Sequence, residues 1–360
     1  MEHGYDVTIV GAGIAGLAAA RELSGGGLRT LILDKGRQVG GRMATRRLQG
    51  GAFDTGAQFF TAVSPKFRTM VEAASEAGAV VRWYQRPPRQ TGAKSFPVWR
   101  GSESMTDLPK WIASGLRRAE PRLGTGTGTD LGTVELRKAT RVARVEPAAE
   151  GVLIFTDENT GIPIRTRSVI LTPPAPQALA LLPQSITDQV DPAISKLQYD
   201  PCLALLISLD IPLPELFNEH GYFRPTGGDG TIAWVADNTR KGLPGTEGRD
   251  TPRLTIHSSS EAARRLYDED TPHAMTALTE ALAALLPGRD REAPVRALAG
   301  GAGDLKKWRY ARPTQRWSEL SVPVTPSIII AGDGFGGARV EGAFASGIHA
   351  AGRILQRRGV

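Results

Sequence analysis

Val7-Thr8-Ile9-Val10-Gly11-Ala12-Gly13-Ile14-Ala15-Gly16, running on into Leu17–Leu23, decides the fold. A short β-rich run, a glycine turn and a helical pattern follow one another, the context that makes G-x-G-x-x-G informative. Gly11 permits the tight turn, Gly13 lets backbone approach a pyrophosphate, and Gly16 lets the helix lie close to the strand. The first helical turn then offers unpaired N–H groups and a positive dipole end to phosphate. A second strand, Thr30–Leu33, ends at Asp34, 18 residues past Gly16. That is near the spacing of about 20 expected for the acid that holds an adenosine ribose. A carboxylate there repels a 2′-phosphate, so the resident nucleotide is expected to lack one. A glycine turn without a ligand is the plainer alternative; strand, spacing and acid together weigh against it. NAD and FAD share this pattern.

Composition narrows the class. The chain has 360 residues, 41% hydrophobic and 22% charged, ample for a packed core and about two domains. One cysteine, Cys202, excludes an internal disulfide framework and thiolate metal sites, and five scattered histidines show no metal spacing. The formal charge of +7 is spread over doublets such as Arg46-Arg47 and Lys306-Lys307. A solvated basic surface is expected, with no nucleic-acid partner; its field would steer anionic small molecules toward a cleft. No basic leader precedes an apolar segment and no apolar run approaches the ~20 residues of a membrane span, so a cytoplasmic location without membrane association is expected.

After Asp34 and Lys35 come Gly40-Gly41-Arg42-Met43, and Asp6–Arg42 resembles the extended dinucleotide fingerprint of amine-oxidase-like FAD flavoproteins. Gly51-Ala52-Phe53-Asp54-Thr55-Gly56-Ala57-Gln58-Phe59-Phe60 is similar to a renalase segment that passes beside the isoalloxazine. Ile328–Asp333, then Arg339-Val340-Glu341-Gly342-Ala343 opening a last helix, resembles the distal FAD motif of the same family. Lys307-Trp308-Arg309-Tyr310-Ala311-Arg312-Pro313, Trp234–Asn238 and His257-Ser258-Ser259 resemble segments of bacterial renalase-like proteins. The resemblance implies non-covalent FAD. Gly11, Gly13, Ile14, Ala15, Gly16, Asp34 and Lys35 would hold its adenosine and pyrophosphate end, with Gly41, Arg42 and Met43 beside the phosphates and the backbone at Val142 beside the adenine. Ala57, Gln58, Gly332, Asp333, Arg339, Val340, Glu341 and Ala343 would surround the ribityl and flavin portion.

The implied fold class is α/β: a discontinuous Rossmann-like FAD domain with a mixed-sheet α+β substrate domain, in the topology shared by p-hydroxybenzoate hydroxylase and amine oxidases. Residues 1–62, 129–172 and 320–360 are expected to form the first, and 63–128 and 173–319 the second. Leu136–Val145 with Val152–Phe155 reads as a hairpin-like pair. Cys202–Leu209, Thr231–Ala236 and Arg253–His257 read as strands, Pro65–Ala77 and His273–Leu286 as helices. The repeat Gly124–Thr129 reads as a flexible loop.

A flavin carries its own reactivity, so the protein has mainly to bind, orient and exclude solvent. Catalytic candidates are Gln58, Trp234 and His257. Gln58 either bonds flavin or substrate or closes a turn; His257 either faces the pocket or is a satisfied core histidine. Trp83, Trp99, Trp234, Trp308 and Tyr310 either line a flat cavity or pack the core. Cys202 reads as a small buried hydrophobe. The resemblance implies an oxidase that takes hydride from isomeric 2- or 6-dihydro-NAD(P), with O2 as acceptor and H2O2 as product. The alternatives are an amine oxidase or a dehydrogenase of a small biosynthetic intermediate and, in another class, a flavin-free scaffold. The oligomeric state stays open.

Overall fold

A computed structural model describes residues 4–48, 51–86, 95–118, 132–213, 216–226, 229–245, 251–286 and 288–359. The Gly124–Thr129 repeat lies outside the described residues. The opening strand, Tyr5–Val10, runs parallel to Thr30–Leu33 on one side and to the long strand Asn159–Leu171 on the other. The sheet continues through Ile328–Ala331 to Ser321–Thr325 at one edge and through Val134–Arg137 at the other. Central strands covered on both faces bury every side chain, which is why Thr30–Leu33 and Ile328–Ala331 read as unbroken apolar runs.

Between the first two strands the helix Ile14–Gly25 packs on the sheet, and the last helix, Val340–Arg358, packs across it. The approach is close enough that a Cβ on Gly347 would lie 2.0 Å from the Ala15 carbonyl oxygen. The two ends of the polypeptide therefore share one core, in which Ile9, Leu17 and Ile32 meet Phe344 and Ala350. Helices Pro65–Glu76 and Asp107–Arg118 put Phe67, Met70, Leu108 and Ile112 into that same core, although the sequence reading assigned them to the substrate domain.

A second sheet is wholly antiparallel, in the order Tyr222–Phe223, Ile232–Asp237, Arg253–Ser258, Tyr199–Ser208, Gly303–Pro313. One face, with Leu203, Leu205, Val235, Leu254 and Ile256, packs against Leu278 and Leu282 of the helix Thr271–Leu285. The cross-strand row Trp234, His257, Ala204, Lys306 occupies the opposite face, since directly paired residues point to the same side. A small three-stranded sheet, Phe60–Thr61, Phe96–Gly101 and Val80–Arg86, stands beside it.

One expected pairing is corrected. Leu136–Val145 is not a single hairpin arm: Val134–Arg137 is a parallel neighbour of Thr30–Leu33, and only Val142–Ala148 pairs antiparallel with Gly151–Thr156. The chain breaks at Ala139, whose φ of 55° is left-handed and incompatible with a continuing strand.

Candidate functional site

The glycine turn is built by close approach. Gly11 has φ +105°, and a Cβ on Gly16 would lie 1.9 Å from the Gly11 carbonyl oxygen. Gly13 differs, because a Cβ there would meet no protein atom within 4 Å; the space beside it is open. The helix that follows has no side-chain cap, so the first-turn amides from Ile14 to Gly16 face that space without a side-chain acceptor. Asp34 is held rigidly by the Ala12 amide on Oδ2 (2.5 Å) and the Gly36 amide on Oδ1 (2.6 Å). Each oxygen retains acceptor capacity for a ribose hydroxyl. The amides of Ala139 and Thr140 bond the carbonyls of Gly36 and Asp34, bringing buried Val142 near that carboxylate; Lys35 is exposed.

Gly40 (φ +116°) and Gly41 (φ +55°) then turn the chain back across Gly13, and Met43 is buried beneath. Arg42 meets Asp333 in a two-pronged ion pair, Nη1 to Oδ2 at 2.6 Å and Nη2 to Oδ1 at 2.7 Å, with Nη1 also donating to the Tyr310 carbonyl. The proximal and distal motifs, 291 residues apart, thus join directly. Gly332 has φ +135° and its amide bonds Ser346 Oγ. Nearby Tyr199 is raised to about 12, by burial first and then by the Asp333 charge. The last helix also starts without a side-chain cap, at exposed Arg339. Ala343 is buried in its first turn and Val340 half-buried. The Glu341 carboxylate accepts the amides of Val63 and Ser64, just before Pro65–Glu76.

The segment Asp54–Gln58 runs beside this cradle and is clamped on all sides. A Cβ on Gly56 would lie 2.0 Å from the Arg42 carbonyl oxygen, which accepts the Ala57 amide at 2.9 Å. Lys241 and Asp54 form an ion pair at 2.7 Å with side chains 0% and 1% exposed. Asp54 Oδ1 accepts from Thr45 Oγ1 and the Met105 amide. Gln58 is equally occupied: Nε2 donates to the carbonyls of Asp54 and Gly56, and Oε1 accepts from Lys241 at 3.3 Å. The Thr55 carbonyl accepts from Trp308 Nε1 at 2.9 Å and lies 3.2 Å from His257 Nε2. A carbonyl only accepts, so His257 carries its proton on Nε2.

Burial brings His257 down to about 4, with the Thr55 carbonyl opposing and the Lys241 charge adding to the shift. The unfolded imidazole titrates near 6.5. Between these values the unfolded chain binds the extra proton, so stability is complete above pH 6.5 and falls as pH drops toward 4. Urea unfolding at pH 7.5 and pH 4.5 should show a loss of about 2 kcal/mol from this group. The loss should vanish in His257→Gln.

Uncapped helix starts, the fixed Asp34 carboxylate and the open space at Gly13 fit an adenine dinucleotide. Comparison with known proteins agrees. Residues 9–74 match the NAD(P)-binding Rossmann-like domain, and residues 96–355 match the flavin containing amine oxidoreductase family. The chain belongs to that family. Its α/β fold is that of flavin amine oxidases. A Mycobacterium tuberculosis protein described as a flavin-containing monoamine oxidase is 35% identical over 113 residues, 31% of this chain and 23% of that one. A pseudooxynicotine dehydrogenase of a Pseudomonas species is 40% identical over 67 residues, 19% of this chain and 14% of the relative. Each match spans less than a quarter of the relative's length. Putrescine oxidase bound to putrescine superposes with a TM-score of 0.64 at 16% identity, covering 98% of this chain and 99% of that one. An Exiguobacterium protein described as a protoporphyrinogen oxidase gives 0.66 at 15%, over 99% and 100%. At these identities the structures speak for the fold alone.

Within this member of the flavin amine oxidoreductase family, contacts link the Gly11–Gly13 turn to Asp34 through the Ala12 amide, Gly13 to Gly41, and Arg42 to Asp333. Gln58 braces the adjoining segment with both its amide atoms engaged, His257 does so through Nε2, and Trp234 lies on the same sheet face as His257. Sequence reasoning missed Lys241, Asn238 and Arg100. Lys241 and Asn238 hold Asp54 by its carboxylate and its amide, and the Arg100 charge lies near the same carboxylate. Lysine is the residue type least expected in a core, so sequence carries no signal for it. Cys202 is half-buried rather than fully buried, and desolvation pushes its thiol up to about 12, far from a thiolate. Among the described residues no helix is long and apolar enough to cross a membrane, and no cluster of three metal-ligating side chains occurs.

Proposed function

We propose that this protein is a renalase-like FAD oxidase acting on isomeric dihydronicotinamide dinucleotides. In this reading residues 1–62, 129–172 and 320–360 hold the cofactor, with Asp34 on the adenosine ribose, the Gly13 turn and Arg42 on the pyrophosphate, and Asp333 toward the ribityl phosphate. Residues 63–128 and 173–319 shape the substrate side. FAD, when bound, supplies hydride acceptance and the return of electrons to O2 as H2O2.

The observation that carries the reading is the state of the polar groups on the Asp54–Gln58 segment. Lys241 is committed to Asp54 and Gln58, and His257 is held neutral with its Nε2–H directed at the Thr55 carbonyl. Lys241 and Gln58 are therefore not available as bases, and an imidazole held down to about 4 is a weak base toward a donor carbon. A dihydropyridine ring needs no such base, because hydride leaves and no proton follows. The residues' tasks are then to fix the segment, present a flat surface and exclude water.

Anaerobic mixing with 2-dihydro- or 6-dihydro-NAD(P) should bleach flavin absorbance rapidly, and admitted O2 should restore it with one H2O2 per turnover. Indifference to both isomers would overturn the proposal. The second reading, an amine oxidase, is favoured by the family match over residues 96–355. Rapid bleaching by an amine with no response to dihydropyridines would select it. A flavin-free scaffold is set aside by the family and by the intact glycine cradle.

A further inference from the structure

We propose that Phe59, Trp83, Tyr222 and Trp234, with Arg86 and Arg224 at their rim, form a docking surface for an aromatic ring tethered to phosphate. The surface thereby selects anionic donors against cationic amines. For the donor's identity this rests on the dinucleotide reading above; the charge selection stands on the residues themselves.

The wall begins one residue beyond Gln58. The Phe59 ring lies 6.0 Å from Trp83 and 5.8 Å from Trp234, and Tyr222 stacks on Trp234 at 4.5 Å with planes 10° apart. Phe59, Trp83 and Tyr222 are only half-buried, so ring surface stays available on a patch continuous with the cofactor-side segment. Trp234 is 7% exposed, and its indole N–H is buried with no hydrogen-bond partner. A buried donor without a partner is costly unless an acceptor reaches it.

Charge settles what kind of ring fits. Arg224 lies 4.9 Å from the Trp234 centroid and Arg86 5.3 Å from that of Phe59, while Lys241 lies 5.4 Å from that of Trp83. No carboxylate among the described residues forms a salt bridge with Arg86 or Arg224. Glu219 is 84% exposed and engages His220, which stacks on Tyr84, while Asp54 is taken by Lys241. A guanidinium over a ring still offers N–H groups to phosphate, although Arg86 Nη2 also makes a long contact of 3.4 Å to the Tyr84 hydroxyl. An ammonium group would meet two guanidinium cations here and no free acid, since the buried Lys241 is already neutralised by Asp54.

The test is equilibrium binding to FAD-loaded enzyme, read by tryptophan quenching and by perturbation of the flavin spectrum, without turnover. The probes are NAD+, AMP, neutral nicotinamide and phenethylamine. NAD+ and AMP should bind at least tenfold tighter than phenethylamine, with affinity falling as salt rises. Arg86→Ala and Arg224→Ala should each weaken NAD+ about tenfold while moving nicotinamide less than twofold. Arg224→Lys should recover only part of the loss. Thermal melts of these partly or fully exposed positions check folding. Equal binding of anion and cation, or no change in either arginine variant, overturns the proposal. Dihydropyridine inactivity with the arginine effect intact would sink the oxidase reading alone; turnover without the arginine effect would sink this one alone.

Discussion

Gly16→Ala should leave the protein colourless and less stable, whereas Gly13→Ala should leave it colourless with its apo fold nearly intact. At Gly16 the added methyl would sit 1.9 Å from the Gly11 carbonyl oxygen and 3.2 Å from Ile9 Cγ2. The first of these is backbone and cannot swing aside, so the helix must move off the strand. Overpacking of that kind costs about 3 kcal/mol, the upper part of the usual range. At Gly13 the same methyl meets no protein atom within 4 Å. The apo fold should therefore change by no more than about 1 kcal/mol, the scale of an altered helix N-cap. The methyl would nevertheless occupy the place assigned to the pyrophosphate. Flavin-to-protein ratio after purification, with urea unfolding of the apoprotein, separates the two effects. A fully yellow Gly13→Ala protein would remove the phosphate from that position.

Lys241→Met should be the most damaging single change outside the glycine turns. It strips the cation from an ion pair whose two side chains are essentially without solvent contact. Removing one partner of a buried pair typically costs about 3–5 kcal/mol, because the remaining charge is stranded. Asp54 would keep Thr45 Oγ1 and the Met105 amide but lose its charge partner. Adding Asp54→Asn should recover much of the loss by removing the stranded carboxylate. The double variant should still show an altered flavin spectrum, since Gln58 Oε1 would lose its lysine donor. Unfolding free energies of the two single variants and the double variant test the coupling, and strictly additive losses would show that the pair does not act as a unit.

What could be read without coordinates follows from local rules. The opening glycine turn is a backbone problem solved within six residues, and Thr30–Leu33 and Ile328–Ala331 are apolar because both their faces are covered. The Leu136–Val145 pairing failed because Ala139 takes a left-handed turn with no glycine to announce it. Nor could local rules show that the Glu341 carboxylate would hold the Ser64 amide, 277 residues away. Local rules leave Gln58 and His257 as open choices; in the fold Gln58 is spent on Asp54, Gly56 and Lys241, and His257 gives its Nε2 to the Thr55 carbonyl.

By itself the sequence determined that a strand, turn and helix would present amides to a dinucleotide, because those steps depend on neighbours in the chain. Only the tertiary structure decided that Arg42 would face Asp333, that Lys241 would vanish into the core beside Asp54, and that aromatic rings from three separate strands would share a rim of arginines. Those outcomes depend on desolvation and on charges brought together across hundreds of residues, and neither quantity exists until the chain has closed around them.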